Sequence, residues 1–265
     1  MSQVPELLAD GGIRIELTGD AAWITLNRPS TRNAMTSAMW RALPVLMDRL
    51  AADTGVKTVL ITGAGGELCT GADVSEFPTA FSDATAARAY NDLVEAGRHA
   101  LTHQPKPTIA VVPGLAVGAG CGLAMACDLR FASDTARFAM PPARLGAAYP
   151  FPGVLQLVDL VGPARAKDML YSGRLVGAEE ALRIGLVDRV FPGDTLREEA
   201  QRYVEGIAAL SSNSHRITKQ MVQAVLDGTD AETAELRKMF DDSFASGDFL
   251  EGYRAFLEKR KPDFR

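Results

Sequence analysis

The chain has 265 residues, 47% hydrophobic and 23% charged, which suits a globular protein with a sizeable core. Its formal net charge of −5, with no block of like charges beyond the short EKRKP at 258–262, excludes the dense basic face that nucleic acid requires. No window approaches the roughly 18 apolar residues of a membrane span. The start, MSQVPELLADGG, lacks the basic and apolar regions of a signal peptide. The three cysteines, Cys69, Cys121 and Cys127, form no CxxC pair, and an odd count argues against a disulfide framework. A soluble, cytoplasmic protein is expected.

In chain order, Ile13–Leu17 and Ala22–Leu26 alternate as a β-hairpin with TGD at its turn. NRPSTRNAM, residues 27–35, reads as a loop because Pro29 and its neighbours break any regular run. A helix is expected from about Thr36, with Met39, Leu43, Leu46, Met47 and Leu50 at helical spacing and Pro44 as a kink inside it. VKTVLITGAGG is a buried strand ending in a glycine turn, and ELCTGADVSEF is a loop running into a short helix. Ala84–His103 reads as a longer helix, PTIAVVPG as a buried strand, GAGCGLAMAC as a helix opened by small residues, and DLRFAS as a strand. GPARAKDMLYSG and GAEEALRIGLVD are helical and joined through RLV, and the chain is helical from Leu196 onward. Strands alternating with helices, then helix alone, argue for an α/β core with an appended helical region.

Several kinds of site are excluded. After Gly118 and Gly120 a dinucleotide fingerprint needs a third glycine where Leu123 stands, and after Gly63 and Gly65 it needs one where Leu68 stands. There is no GxxxxGK and no GxSxG. His99 and His103 are four apart, but Ala100 stands where the glutamate of a zincin would follow, so no metal site is expected. These two read as a partly exposed helix face, and His215 is isolated.

A strand, a small turn and a helix start have a different use. The first N–H groups of a helix lack intrahelical partners and sit at its positive dipole end. Aimed at a carbonyl oxygen, they stabilise an enolate or a tetrahedral adduct. Small residues let the substrate approach the backbone. Two stretches qualify: CTGADV, residues 69–74, and VGAGCG, residues 117–122. On pattern alone, either is also compatible with a tight turn packing helix on strand.

The order and spacing of LNRPSTRNAMTSAM, LCTGADVSEF, PKPTIAVVPGLAVGAGCGLAMACDLRFAS and GPARAKDMLYSGRLVGAEEALRIGLVDRVFP resemble the enoyl-CoA hydratase/isomerase, or crotonase, superfamily over almost the whole chain. The resemblance implies an α/β crotonase (ClpP-like) spiral of ββα units over 1–195 that binds acyl-CoA. It also implies a C-terminal helical trimerisation region over 196–265, and a homotrimer or hexamer. The substrate is an acyl-CoA thioester, with no cofactor beyond the coenzyme A it carries. The oxyanion donors are then the N–H groups of Ala72 and Ala119, with Gly71 and Gly118 beside them. Arg28 and Arg32, with Asp73 and Val74 of the first loop and Lys259 from a neighbouring subunit, would contact coenzyme A. Ser75 replaces a lysine common in the family.

The resemblance also marks what is missing. The two glutamates of family hydratases fall at Gly122 and Pro142, and neither residue transfers a proton. General acid–base groups contribute about 10²–10⁴-fold each, so hydration is expected to be poor. Tyr149 is placed like a tyrosine of family acyl-CoA decarboxylases, whose reaction needs no strong base. Arg144 could pair a substrate carboxylate, and Glu76 could serve as an acid if its helix turns it inward. Asp73 reads as a helix cap, Cys69 and Cys121 as packing, and His99 as a further candidate from another branch of the family. Phe77, Phe81 and Phe151 are candidate walls of the acyl pocket. A non-hydratase acyl-CoA reaction, decarboxylation foremost, is the expectation; the rival is a catalytically silent acyl-CoA-binding sensor or assembly subunit.

Overall fold

The computed structural model describes residues 5–264. The chain opens with β1 (Glu6–Leu8), β2 (Ile13–Thr18) and β3 (Ala21–Leu26). β2 and β3 form the expected hairpin, antiparallel from Ile13 opposite Leu26 to Thr18 opposite Ala21. β1, too short to show a period, extends its edge. The helix α1 (Ser37–Ala52) is capped by Thr36, whose Oγ1 accepts the Met39 N–H at 3.2 Å. It runs unbroken through Pro44, where a kink was expected. The proline leaves the Trp40 carbonyl without a helical donor, and Gly97 of the neighbouring helix packs against it: a Cβ there would lie 3.2 Å from Trp40 O.

There follow β4 (Thr58–Gly63), α2 (Phe77–Ala80), α3 (Ala84–Thr102), β5 (Thr108–Val112), β6 (Leu115–Val117), α4 (Ala119–Met125), β7 (Leu129–Ser133) and β8 (Arg137–Ala139). Next are α5 (Phe151–Val161), α6 (Pro163–Ser172), β9 (Val176–Gly177), α7 (Ala178–Arg183), β10 (Arg189–Phe191), α8 (Leu196–Ala208), α9 (Ser212–Leu226), α10 (Ala234–Phe244) and α11 (Gly247–Glu258). The large sheet has the order β1-β2-β3-β4-β5-β7-β10 and is parallel from β3 onward; a second sheet has the order β6-β8-β9. β9 begins at Val176, the last residue of the RLV joiner, and β10 lies between the helical stretches expected at 177–188 and from Leu196 onward. Strands of two and three residues carry no periodicity of their own.

The two sheets make the expected ββα spiral. Each turn leaves the large sheet, touches the second layer, then enters a helix: β5, β6, α4, and again β7, β8, α5. In the two preceding turns the second layer shrinks to single bridges, Cys69 to Ala116 and Met35 to Ala72. β3 is buried on both faces. Ala22, Ile24 and Leu26 pack with α1, while Ala21 and Trp23 pack with Leu196, Ala200 and Val204 of α8. Each large apolar side chain so buried contributes about 1.5–3 kcal/mol, which fixes α8 on the sheet. By contrast α10 buries no residue, and Phe256 of α11 is 82% exposed. Among the described residues no helix is long and apolar enough to cross a membrane.

Candidate active site

The two small-residue turns meet beside the bridge from Cys69 to Ala116. Asn33 holds the first. It is fully buried in a left-handed conformation, φ 59°. Its Nδ2 donates to the carbonyls of Ala64 and Glu67, both at 2.8 Å, and its Oδ1 accepts the Arg28 N–H at 3.0 Å. The Glu67 carboxylate accepts the Leu115 N–H, which ties this loop to the second. The Val117 N–H then donates to Cys69 O at 2.9 Å, the Met35 N–H to Gly71 O at 2.9 Å, and the Asp73 N–H to Met35 O at 2.8 Å. Ala72 lies between these bonds, and no acceptor among the described residues takes its N–H.

The second turn starts at Gly118, whose N–H donates to Ala139 O at 2.9 Å. Its φ of 53° and the φ of 129° at Gly71 suit glycine, and a Cβ on Gly118 would lie 3.9 Å from Gly71 Cα. The Ala119 N–H, first in α4, has no acceptor among the described residues. Since α4 has seven residues, its free N–H groups matter more than any long-range dipole. Gly120 backs onto the Cys69 carbonyl so closely that no side chain fits. Thus the chain brings Gly71, Ala72, Gly118 and Ala119 together, with two backbone donors left free.

Beside them lies Gly122, fully within the core. A Cβ on Gly122 would sit 2.5 Å from Tyr149 Oη and 3.6 Å from Arg98 Nε. The tyrosine hydroxyl therefore stands where a side chain at 122 would begin. It donates to Gly118 O at 3.3 Å. Burial pushes the Tyr149 hydroxyl well above the ordinary tyrosine range, and the nearby Arg98 guanidinium opposes that rise. The phenol is neutral at physiological pH. Pro142 opens a single 3-10 turn over Pro142–Leu145, in a segment mostly exposed from Ala143 to Ala148.

The remaining candidates take varied places. Asp73 is a cap, its Oδ1 accepting the Ser75 N–H at 3.0 Å, and it pairs with Arg28 at 2.8 Å. These bonds hold its carboxyl below the ordinary range, the Ser75 hydroxyl contributing most. Arg28 also donates to Ala34 O at 2.7 Å, so its guanidinium joins the 27–35 loop to the first turn. Arg32 and Val74 are exposed near them, and the exposed Lys259 ends α11 in a left-handed conformation. Glu76 serves α1: its Oε2 accepts the Ser37 N–H at 2.8 Å and hydroxyl at 2.7 Å. Burial raises Cys69 to about 11 and Cys121 to about 12, so both are inert thiols.

His99 and His103 stack at 3.8 Å and line a cavity of about 690 Å³ together with Arg98, Gln156, His215 and α9. Arg144 is exposed, Phe151 is 75% exposed, and Phe77 and Phe81 pack edge to face at 5.0 Å. Among the described residues no group of three or more His, Cys, Asp or Glu could hold a metal ion.

Sequence reasoning passed over Arg98, Gly153 and Gln156. Arg98 carried a signal, being a charge on the helical stripe of Tyr90, Gly97 and Leu101, all buried in α3. Gly153 and Gln156 carried none, because their role depends on α5 lying across α3.

Two free backbone N–H donors side by side can hold a developing oxyanion, an ability that fits several reactions rather than one. The sequence model of the enoyl-CoA hydratase/isomerase family matches residues 17–265, and the chain belongs to that family. It is 37% identical over 260 residues to a Mycobacterium leprae protein described as probable enoyl-CoA hydratase echA8, covering 97% of each chain. It is likewise 37% identical over 253 residues to a probable enoyl-CoA hydratase of Rhizobium meliloti, covering 95% of this chain and 96% of that one. Among solved structures, a putative enoyl-CoA hydratase/isomerase family protein from Hyphomonas neptunium superposes with a TM-score of 0.93 at 40% identity, covering 96% and 97% of the two chains. The chain is an acyl-CoA-processing member of the crotonase fold.

Proposed function

We propose that this enzyme forms a thioester enolate held by the N–H groups of Ala72 and Ala119, and that Tyr149 delivers a proton to it. The reaction favoured is decarboxylation of a malonyl-type acyl-CoA. The bond from the α-carbon to the carboxylate breaks, CO₂ leaves, and its electron pair enters the enolate. The Tyr149 hydroxyl then gives its proton to the α-carbon, yielding the shortened acyl-CoA, and the phenolate is reprotonated from water. Each oxyanion donor supplies roughly 2.7–4 kcal/mol of barrier lowering, and a positioned proton donor about 10²–10⁴-fold. No cofactor is required beyond the coenzyme A of the substrate.

One observation carries the reading. Where a hydratase of this family would carry its first glutamate, Gly122 has no side chain and the Tyr149 hydroxyl fills the space. A neutral phenol suits proton delivery and is a poor base for activating water. The word hydratase in the relatives' names belongs to those proteins. The exposed apolar residues of α9–α11, such as Val225 at 68% and Phe256 at 82%, support self-association as a trimer or hexamer.

The test is CO₂ release from a panel of malonyl-type thioesters in deuterated water. One deuterium at the α-carbon of the product, with a loss of about 10²-fold or more on Tyr149→Phe, supports the reading. No product from any thioester, with acyl-CoA binding intact, would favour the silent binding subunit instead. That second reading draws on the same observation, since neither Gly122 nor Pro142 can move a proton.

A further inference from the structure

The slot that holds Tyr149 is opened by two glycines on different helices. On α4, a Cβ at Gly122 would sit 2.5 Å from Tyr149 Oη. On α5, a Cβ at Gly153 would overlap the tyrosine ring and lie 3.3 Å from Arg98 Nη1. The ring and the guanidinium thus share one slot, with Arg98 Nε 3.6 Å from the Gly122 position. Arg98 is 4% exposed. Its Nη1 pairs with Glu95 at 3.2 Å and its Nη2 donates to the Gln156 side chain, which ties α3 to α5. Its Nε is buried with no acceptor. Buried donors nearly always have partners, so an orphan calls for a role.

We propose that Arg98 is the positioning residue for Tyr149, its Nε–H held ready for the phenolate oxygen left when the tyrosine gives up its proton. This rests on the reading of Tyr149 as the proton donor. With its proton the hydroxyl needs an acceptor, and Gly118 O at 3.3 Å serves. Without it, the oxygen is an anion beside a carbonyl oxygen, and in a buried site that species forms only if a cation is near. The other ionisable groups acting on Tyr149 are Glu95 of α3, Cys121 of α4 and Cys69 of the first turn, and none is a cation. The pair with Glu95 within α3 and the tie to Gln156 of α5 account for both terminal nitrogens. They leave Nε unaccounted for.

The experiment needs no turnover. Difluorotyrosine, more acidic than tyrosine, is incorporated in place of all the tyrosines, and the signal of position 149 is assigned in the fluorine NMR spectrum by its loss in Tyr149→Phe. Titration of that signal is compared in the wild-type background, Arg98→Met and Arg98→Lys. The expected result is a titration moved up by about one pH unit or more in Arg98→Met, and by less in Arg98→Lys, which keeps a cation if the methionine variant does not fold. An unmoved titration overturns the proposal.

Turnover adds a second arm. Arg98→Met and Tyr149→Phe should each lower kcat by about 10²-fold with KM within about twofold, and the double variant should fall no further. Fully additive losses would make Arg98 merely structural. If the titration moves while no thioester turns over, the pairing stands and the enolate reaction falls.

Discussion

The turns at 69–73 and 117–122 differ sharply from the stretch 141–150. The former are bonded into the second layer: their carbonyls and N–H groups bond to Met35, Leu115 and Ala139, and Cys69, Gly120 and Cys121 are buried. Among the described residues, the stretch 142–148 makes local backbone bonds alone, such as Arg144 N–H to Pro141 O and Ala147 N–H to Pro142 O. On the proposed function, carbonyl polarisation therefore rests on backbone N–H groups that the fold itself holds in place. Proton handling rests on side chains, and there this chain has glycine, proline and tyrosine. A family can change its reaction at such positions while keeping its oxyanion site.

The contrast can be broken most forcefully at glycines. Gly120→Val should cost about 3 kcal/mol or more in urea unfolding, because its side chain meets the Cys69 carbonyl. Gly146→Val, in the exposed stretch at φ 67° with open space around it, should cost about 1 kcal/mol. Next comes Tyr149→Phe. Turnover is expected to fall about 10²-fold or more, with unfolding free energy changed by about 1 kcal/mol or less, since the hydroxyl's bond to Gly118 O is long.

Gly122→Glu sharpens the comparison from the other side. Alone it should destabilise by about 1–3 kcal/mol through overpacking against Tyr149 and leave crotonyl-CoA unhydrated. Combined with Pro142→Glu and Tyr149→Ala, which clears the slot, it should gain measurable hydration. The smallest effect is at Arg28. Arg28→Met should cost about 1 kcal/mol or less at pH 7, because the pair with Asp73 is partly exposed. Asp73 titrates below its ordinary value in the folded protein. Its contribution is therefore present above the ordinary aspartate pKa and lost as pH falls through the lowered one. Urea midpoints of the two proteins should differ at pH 7 and converge in strong acid.

Much of this was legible in the sequence. The hairpin at 13–26, α1, α3 and the turn into α4 announce themselves by alternation, helical spacing and small residues. The spiral was legible only through family resemblance, because its second layer consists of strands of two or three residues and single bridges such as Cys69 to Ala116. Asn33 reads as one polar residue in a proline-broken loop, yet it is the buried clamp of the first turn. The tyrosine was visible, but its slot was not: Gly122 and Gly153 are 31 residues apart, and only the crossing of α4 and α5 puts them on the same ring. Arg98 could have been found as a charge on an apolar stripe.

The most direct test is hydration of crotonyl-CoA, followed by loss of the conjugated thioester's ultraviolet absorbance, with a glutamate-bearing family member as control. The account predicts a rate at least about 10²-fold below the control, with acyl-CoA binding intact. A rate within about tenfold of the control would contradict it and would mean that another group activates water in place of the residues at 122 and 142.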